Sequence, residues 1–108
     1  MNDCIFCKII DKKVPAKIIF ENELMVIFYD INPKADVHLL LVPKKHIDSM
    51  FEIEDKHEHL IGQLMIQANK TAKEFNFDGY KLVTHVGERG GQEVFHLHIH
   101  MLGYNKLN

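Results

Sequence analysis

The chain lacks internal repeats, low-complexity stretches and linker-like segments, and its 108 residues are expected to form one domain, 1–108. No apolar run approaches the roughly 20 residues that a helix needs to cross a bilayer, so no membrane partner is expected. An excess of one charge is missing too: 13 Lys+Arg against 15 Asp+Glu leave a formal net charge of -2. Broad binding to a nucleic acid polymer needs a strongly basic face, so that class is set aside. Asp3 and Cys4 stand where a secretory signal would carry basic residues and then an apolar stretch, which points to a cytoplasmic location. Cysteine is scarce. The only two, Cys4 and Cys7, form a Cys-x-x-Cys pair that in a reducing compartment favours a metal or redox role over a structural disulfide.

Hydrophobic residues make up 46% of the sequence, enough for a real core. Ile5 to Ile10 predicts a short helix, and Lys17 to Phe20 with Leu24 to Tyr29 predicts a hairpin around Glu21-Asn22-Glu23. Pro33 pushes Asn32 away from helical angles, and His38 to Val42 reads as a strand covered on both faces and ended by Pro43. A long helix is expected from about Glu54 to Phe75, with Leu60, Ile61, Leu64, Met65, Ala68, Ala72 and Phe75 as its apolar stripe. Gly62 inside it costs roughly 1 kcal/mol against alanine, unless a small residue is needed for close approach of another element. A turn at Asp78-Gly79, a strand from Tyr80 to Val86, a loop from Gly87 to Gly91 and a strand from Val94 to Leu102 complete an α+β domain.

The last strand carries the main signal. His96, His98 and His100 alternate with Phe95, Leu97, Ile99 and Met101, so an extended chain lines three imidazoles on one face above an apolar floor. Histidine titrates near neutrality, and this face can donate, accept or attack at physiological pH. Alternate residues are ~6.5 Å apart and Zn–N bonds only ~2.0–2.1 Å, so three rings cannot easily converge on one ion. Separate roles fit better. A neutral imidazole is a competent nucleophile toward phosphorus, and a neighbouring ring can stabilise phosphate charge or protonate a leaving group. The glycines from Gly87 to Gly91 precede a strand, whereas dinucleotide-binding and P-loop glycines open a helix, so those motifs are absent. His57 and His59, among Glu54, Asp55 and Glu58, read as solvated helix residues, and Lys44 and Lys45 as solvated loop.

His96-Leu97-His98-Ile99-His100-Met101-Leu102 resembles the histidine-triad pattern, His-φ-His-φ-His-φ-φ with φ apolar. Asp30-Ile31-Asn32-Pro33, the segment HLLLVPKKHI from His38 to Ile47, and Gly90-Gly91-Gln92 extend the likeness over nearly the whole chain, in the Hint (histidine triad nucleotide-binding) branch. The resemblance implies a five-stranded antiparallel sheet with one long and one short helix, a homodimer joined through the long helix and a neighbouring strand, and a nucleoside phosphoramidase. By position it makes His98 the nucleophile, His100 the phosphate contact and leaving-group assistant, and His38 part of the proton relay. Asp30 would bind the ribose, and Ile5, Phe6, Ile9, Phe28 and Ile31 would wall the purine nucleotide. Those apolar residues equally suit an ordinary core, and Asp30 an Asx-turn. Gln92 falls at the phosphate edge. Glu93 and His85 depart from the serine and asparagine that other members carry. Zinc-bearing members use positions equivalent to Cys4, Cys7, His46 and His96, which implies a structural zinc and no cofactor for catalysis; a redox cysteine pair would want a βαβ pattern, which is not seen.

Dinucleoside polyphosphate hydrolysis or nucleotidyl transfer is the near alternative, against which the short segment Tyr104 to Asn108 offers little surface for a second nucleotide. A non-catalytic nucleotide-binding regulator is a further rival, and so is a hydrolase with catalytic zinc.

Overall fold

A computed structural model describes residues 3–105. The elements are α1 (Ile5–Ile10), β1 (Ile18–Glu21), β2 (Met25–Tyr29), β3 (Val37–Pro43), α2 (Glu58–Glu74), β4 (Phe77–Val83) and β5 (Ile99–Asn105), with short 3-10 turns between several of them. The strands form one sheet in the order β1-β2-β3-β5-β4, and every neighbouring pair is antiparallel. The expected α+β architecture is what forms.

The two-residue period of the strands divides the interior between two helices. Met25, Ile27, Leu39, Leu41, Ile99 and Met101 pack with Leu64, Ala68 and Ala72 of α2. The intervening Val26, Phe28, Leu40 and Val42 pack with Phe6 and Ile9 of α1. β3 is therefore covered on both faces, which is why its sequence is continuously apolar. His38 and His100 share the parity of Leu40, so both project on the α1 face. That is how the sheet gathers them.

Several expectations need correction. The histidine run is not wholly strand: β5 begins at Ile99, leaving His96 and His98 upstream. Its partner β3 ends at Pro43, which has no N–H to continue a ladder, and the last Cα pair is Leu41 with Ile99. Other groups take over there. His96 Nε2 donates to the Pro43 carbonyl at 2.8 Å, Leu97 N–H to the Ile47 carbonyl at 2.6 Å, and Thr84 Oγ1 to the His98 carbonyl at 2.8 Å. Phe95 is 46% exposed and takes no part in the apolar floor, whereas Leu97, Ile99 and Met101 are buried.

Asp78-Gly79 is not a turn but part of β4, at an irregularity between Phe77 and Gly79. The chain reverses one step earlier, at Asn76, whose φ of 57° is the left-handed conformation that ends many helices. β4 stops at Val83, short of Val86. The long helix starts with a 3-10 turn, Asp55–His57, before α2 proper. His57 is buried, not solvated, because its Nδ1 accepts from the Glu54 N–H at 2.9 Å and closes a capping box. His59 is exposed as expected. Met65 leaves the apolar stripe for the surface, while Gln67 and Thr71 are buried and bonded to each other at 3.2 Å. A side chain at Gly62 would meet nothing within 4 Å, so no element of this chain packs closely there. Lys44 is held by Glu21 at 2.7 Å. No helix among the described residues is long and apolar enough to cross a membrane.

Candidate active site and metal cluster

A cavity of about 750 Å³ opens on the α1 face of the sheet. Ile5, Phe6 and Ile9 from α1, Phe28 from β2 and Leu40 from β3 make its apolar wall. Phe6, Ile9 and Phe28 are buried, and Ile31 stands at the rim, 91% exposed. Asp30, His38, His85, Glu93, His98 and His100 also line it. Gln92 does not. Its side-chain oxygen accepts from the Gly87 N–H at 2.9 Å, and its nitrogen donates to the carbonyls of Asp48 at 2.7 Å and Val94 at 3.0 Å. With its amide bonded to backbone, Gln92 braces the segment that leads into the histidine run.

Backbone partners determine where each imidazole carries its proton, since a ring nitrogen facing a carbonyl must donate and one facing an N–H must accept. His98 Nδ1 donates to the His96 carbonyl at 2.7 Å, leaving the lone pair on Nε2. His38 Nδ1 accepts from the Lys34 N–H at 3.1 Å, so its Nε2 is protonated and donates to His100 Nδ1 at 3.0 Å. His100 then bears its own proton on Nε2. Asp30 bends back on its segment through an Asx-turn, Asn32 N–H to Oδ1 at 2.8 Å, while its Oδ2 lies 3.4 Å from His38 Nε2 and 3.9 Å from His100 Nδ1. His85 donates from Nδ1 to the Gly90 carbonyl at 3.1 Å, and its ring centroid is 5.4 Å from that of His100.

The cavity favours the neutral form of His38, His98 and His100. Burial pushes His38 and His98 below the ordinary histidine value. Burial, then the neighbouring His98, His38 and His85, brings His100 down to about 4. A neutral ring keeps the lone pair that nucleophilic attack requires.

The other end of the run is different. His96, fully buried, turns Nδ1 toward Cys4 Sγ at 3.2 Å and Cys7 Sγ at 3.6 Å, and His46 Nδ1 lies 3.2 Å from Cys7 Sγ. All four ligand atoms fall within 4.8 Å of one another. Zn–S bonds of ~2.3 Å and Zn–N bonds of ~2.0–2.1 Å make the S···N edge of a tetrahedron about 3.5 Å, close to these separations. The far nitrogens are supported as metal-bound imidazoles usually are: His96 Nε2 donates to the Pro43 carbonyl and His46 Nε2 to Asp48 Oδ1 at 2.9 Å. Burial raises the Cys4 thiol, and the bond to Cys7 raises His46, so a bound cation would displace protons here.

Asp30, His38 and His100 form a second group of ligand-type atoms among the described residues. They do not suit a cation. A metal on His38 Nε2 would force the ring proton onto Nδ1, where the Lys34 N–H already points. Sequence reasoning missed both Lys34 and Thr84. Thr84 offers one hydroxyl among many, and Lys34 acts through its backbone, which no side-chain pattern reveals.

The arrangement gathers in one cavity an imidazole, His98, that keeps the lone pair of its Nε2, a hydrogen-bonded histidine pair, His38 and His100, and an apolar wall. Comparison with known proteins agrees. Residues 3–107 match the family model described as "Scavenger mRNA decapping enzyme C-term binding". The chain is 48% identical over 104 residues to Protein HitA of Neisseria gonorrhoeae, covering 95% of this chain and 97% of that one. The structure is similar to a histidine triad protein from Clostridium difficile (TM-score 0.92, 43% identity, 100% and 96% of the two chains) and to a HIT family hydrolase from Clostridium thermocellum (TM-score 0.92, 39% identity, 100% and 96%). The chain belongs to the histidine triad family.

Proposed function

We propose that this protein is a nucleotide hydrolase of the Hint type that cleaves purine nucleoside 5'-phosphoramidates at the P–N bond, through a covalent nucleotidyl intermediate on His98. The observation that carries this reading is the His98 Nδ1–H bond to the His96 carbonyl, which leaves a neutral Nε2 on a ring that lines the cavity. The α1-side wall suits a stacked base, and Asp30, beside it, suits ribose hydroxyls.

In the first step His98 Nε2 bonds to the α-phosphorus and the P–N bond breaks. A proton taken up with the anionic substrate passes to the departing nitrogen, while His100, whose Nδ1 is occupied by the His38 N–H, steadies the phosphate and the leaving group through its Nε2–H. Water then attacks phosphorus, loses a proton to solvent, and releases His98 and the nucleoside monophosphate. His38, bonded to His100 at 3.0 Å and held by the Lys34 N–H, orients the His100 ring.

A zinc ion held by Cys4, Cys7, His46 and His96 belongs to this reading as a structural element. Bound there, it would tie α1 to the histidine run and the loop after β3, and supply no chemistry to substrate. A homodimer is also proposed. β4 is one of the two edge strands of the sheet, and Met65 and Ile66 of α2, whose contacts include β4, are exposed apolar residues.

The test is His98→Ala together with trapping. The variant is expected to lose hydrolysis of an adenosine phosphoramidate by at least ~10⁴-fold while its circular dichroism stays native. Rapid-quench peptide mapping of the wild type should find the nucleotidyl adduct on His98. Full turnover by the variant, or an adduct on another residue, overturns the mechanism.

A further inference from the structure

The order of the strands works as a ruler across the cavity. Asp30 follows β2, His38 lies on β3, His100 on β5, and His85 just beyond β4, in the same sequence as the sheet order β2-β3-β5-β4. Ring centroids step from His38 to His100 by 5.2 Å and from His100 to His85 by 5.4 Å. If the nucleoside occupies the Asp30 side and phosphorus sits at His98 and His100, the leaving group is left with the β4 side. Val83 of β4 and His85 just after it line the cavity there, Gly91 lies against the His85 ring, and Glu93, also a lining residue, follows two positions along the chain.

The charges of the two sides differ. Both cationic side chains that line the cavity, Lys17 and Lys34, come from the β1 and β2–β3 segments, on the nucleoside side. Glu93, two residues beyond the Gly91 that lies against His85, is exposed, lines the cavity and makes no ion pair among the described residues. Arg89, on the loop between β4 and β5, does not line the cavity. His85 donates from Nδ1 to the Gly90 carbonyl, so its Nε2 is an acceptor in the neutral ring. Gly91, at φ 93°, lies against that ring, and a Cβ there would come within 3.4 Å of His85 Nδ1. A carboxylate and an imidazole acceptor, with no cation, repel a polyphosphate leaving group and receive N–H donors.

We propose that Glu93 is a specificity-determining residue, which with His85 forms a leaving-group subsite for amines that carry a second positive charge. This rests on the phosphoramidase reading and deepens it. The substrates are nucleoside 5'-phosphoramidates whose departing amine ends in an ammonium group, and the near alternative, a dinucleoside polyphosphate, is disfavoured by the same carboxylate.

The test compares adenosine 5'-phosphoramidates of 1,4-diaminobutane and of butylamine, alike in length and differing in one terminal charge. The full chain is expected to show a kcat/KM about fivefold higher for the diamine, the scale of a part-exposed ion pair, and the preference should shrink as salt is added. Glu93→Gln should bring the ratio to about one. Glu93→Lys should turn the preference toward the amide of 4-aminobutanoate, which ends in a carboxylate. A wild-type ratio near one, or a ratio that survives Glu93→Gln, overturns the subsite while leaving the phosphoramidase reading intact. Failure to hydrolyse either amide overturns that reading, and the subsite with it.

Discussion

Two clusters flank the nucleophile candidate, and each is built around two histidines. On one side Cys4, Cys7, His46 and His96 bring four ligand atoms within 4.8 Å; on the other Asp30, His38 and His100 bring three. Beyond thiols in one and a carboxylate in the other, the bonds on the far side of each ring tell them apart. His46 and His96 spend their outer N–H on oxygen, which aims a lone pair at the sulfurs. His38 receives an N–H from Lys34, which aims a proton at His100. One arrangement turns lone pairs toward the sulfurs and the other turns an N–H toward a second ring. Residue type and proximity are therefore poor guides to a metal site unless the outer partner of each imidazole is known.

The sharpest way to separate the two clusters is His38→Ala. It should lower phosphoramidate turnover by about 10²–10³-fold, as loss of a group that supports acid–base chemistry does, and leave zinc content by atomic absorption at the wild-type level. Loss of zinc in this variant would mean that the clusters are one unit. Acid comes next. His38 and His100 titrate more readily in the unfolded chain, near the ordinary 6.5, than in the folded one, where burial lowers both and His100 falls to about 4. Their contribution to stability is therefore complete above pH 6.5 and fades as pH falls toward 4. Calorimetry at pH 7.5 and pH 5 should show Tm dropping by several degrees, since 1 kcal/mol is worth about 4–8 °C in a domain of this size. A Tm unchanged over that interval contradicts neutral burial of the pair. The smallest effect is expected from Asp48→Asn, which weakens the outer partner of His46. Zinc affinity measured by chelator competition should fall about tenfold, with the hydrolysis rate of the zinc-loaded protein unchanged.

Much of this was readable in the sequence, and the exceptions share a cause. The strands β2 and β3, the double coverage of β3 and the α+β class follow from apolar periodicity, whereas the register that brings His38 to His100 comes from the β3–β5 pairing. The histidine run misled because periodicity continues past the point where a partner strand does: Pro43 ends the ladder, and His96 and His98 are held by side chains and loop carbonyls instead. Asp78-Gly79 reads as a turn by composition, yet the left-handed Asn76 has already reversed the chain. His57 reads as a solvated helix residue and Gln92 as an edge of the site, but each bonds to backbone and is buried.

By itself the sequence determined which residues are chemically competent and on which face of the sheet most of them fall, because side-chain direction along a strand is set by local geometry. Only the tertiary structure decided which nitrogen of each ring holds its proton, and so which histidine keeps a lone pair on Nε2, which two bond to each other and which turns to sulfur. Those choices rest on carbonyls and N–H groups brought from distant segments, such as Pro43 to His96 and Lys34 to His38, and backbone groups leave no mark in a pattern of side chains.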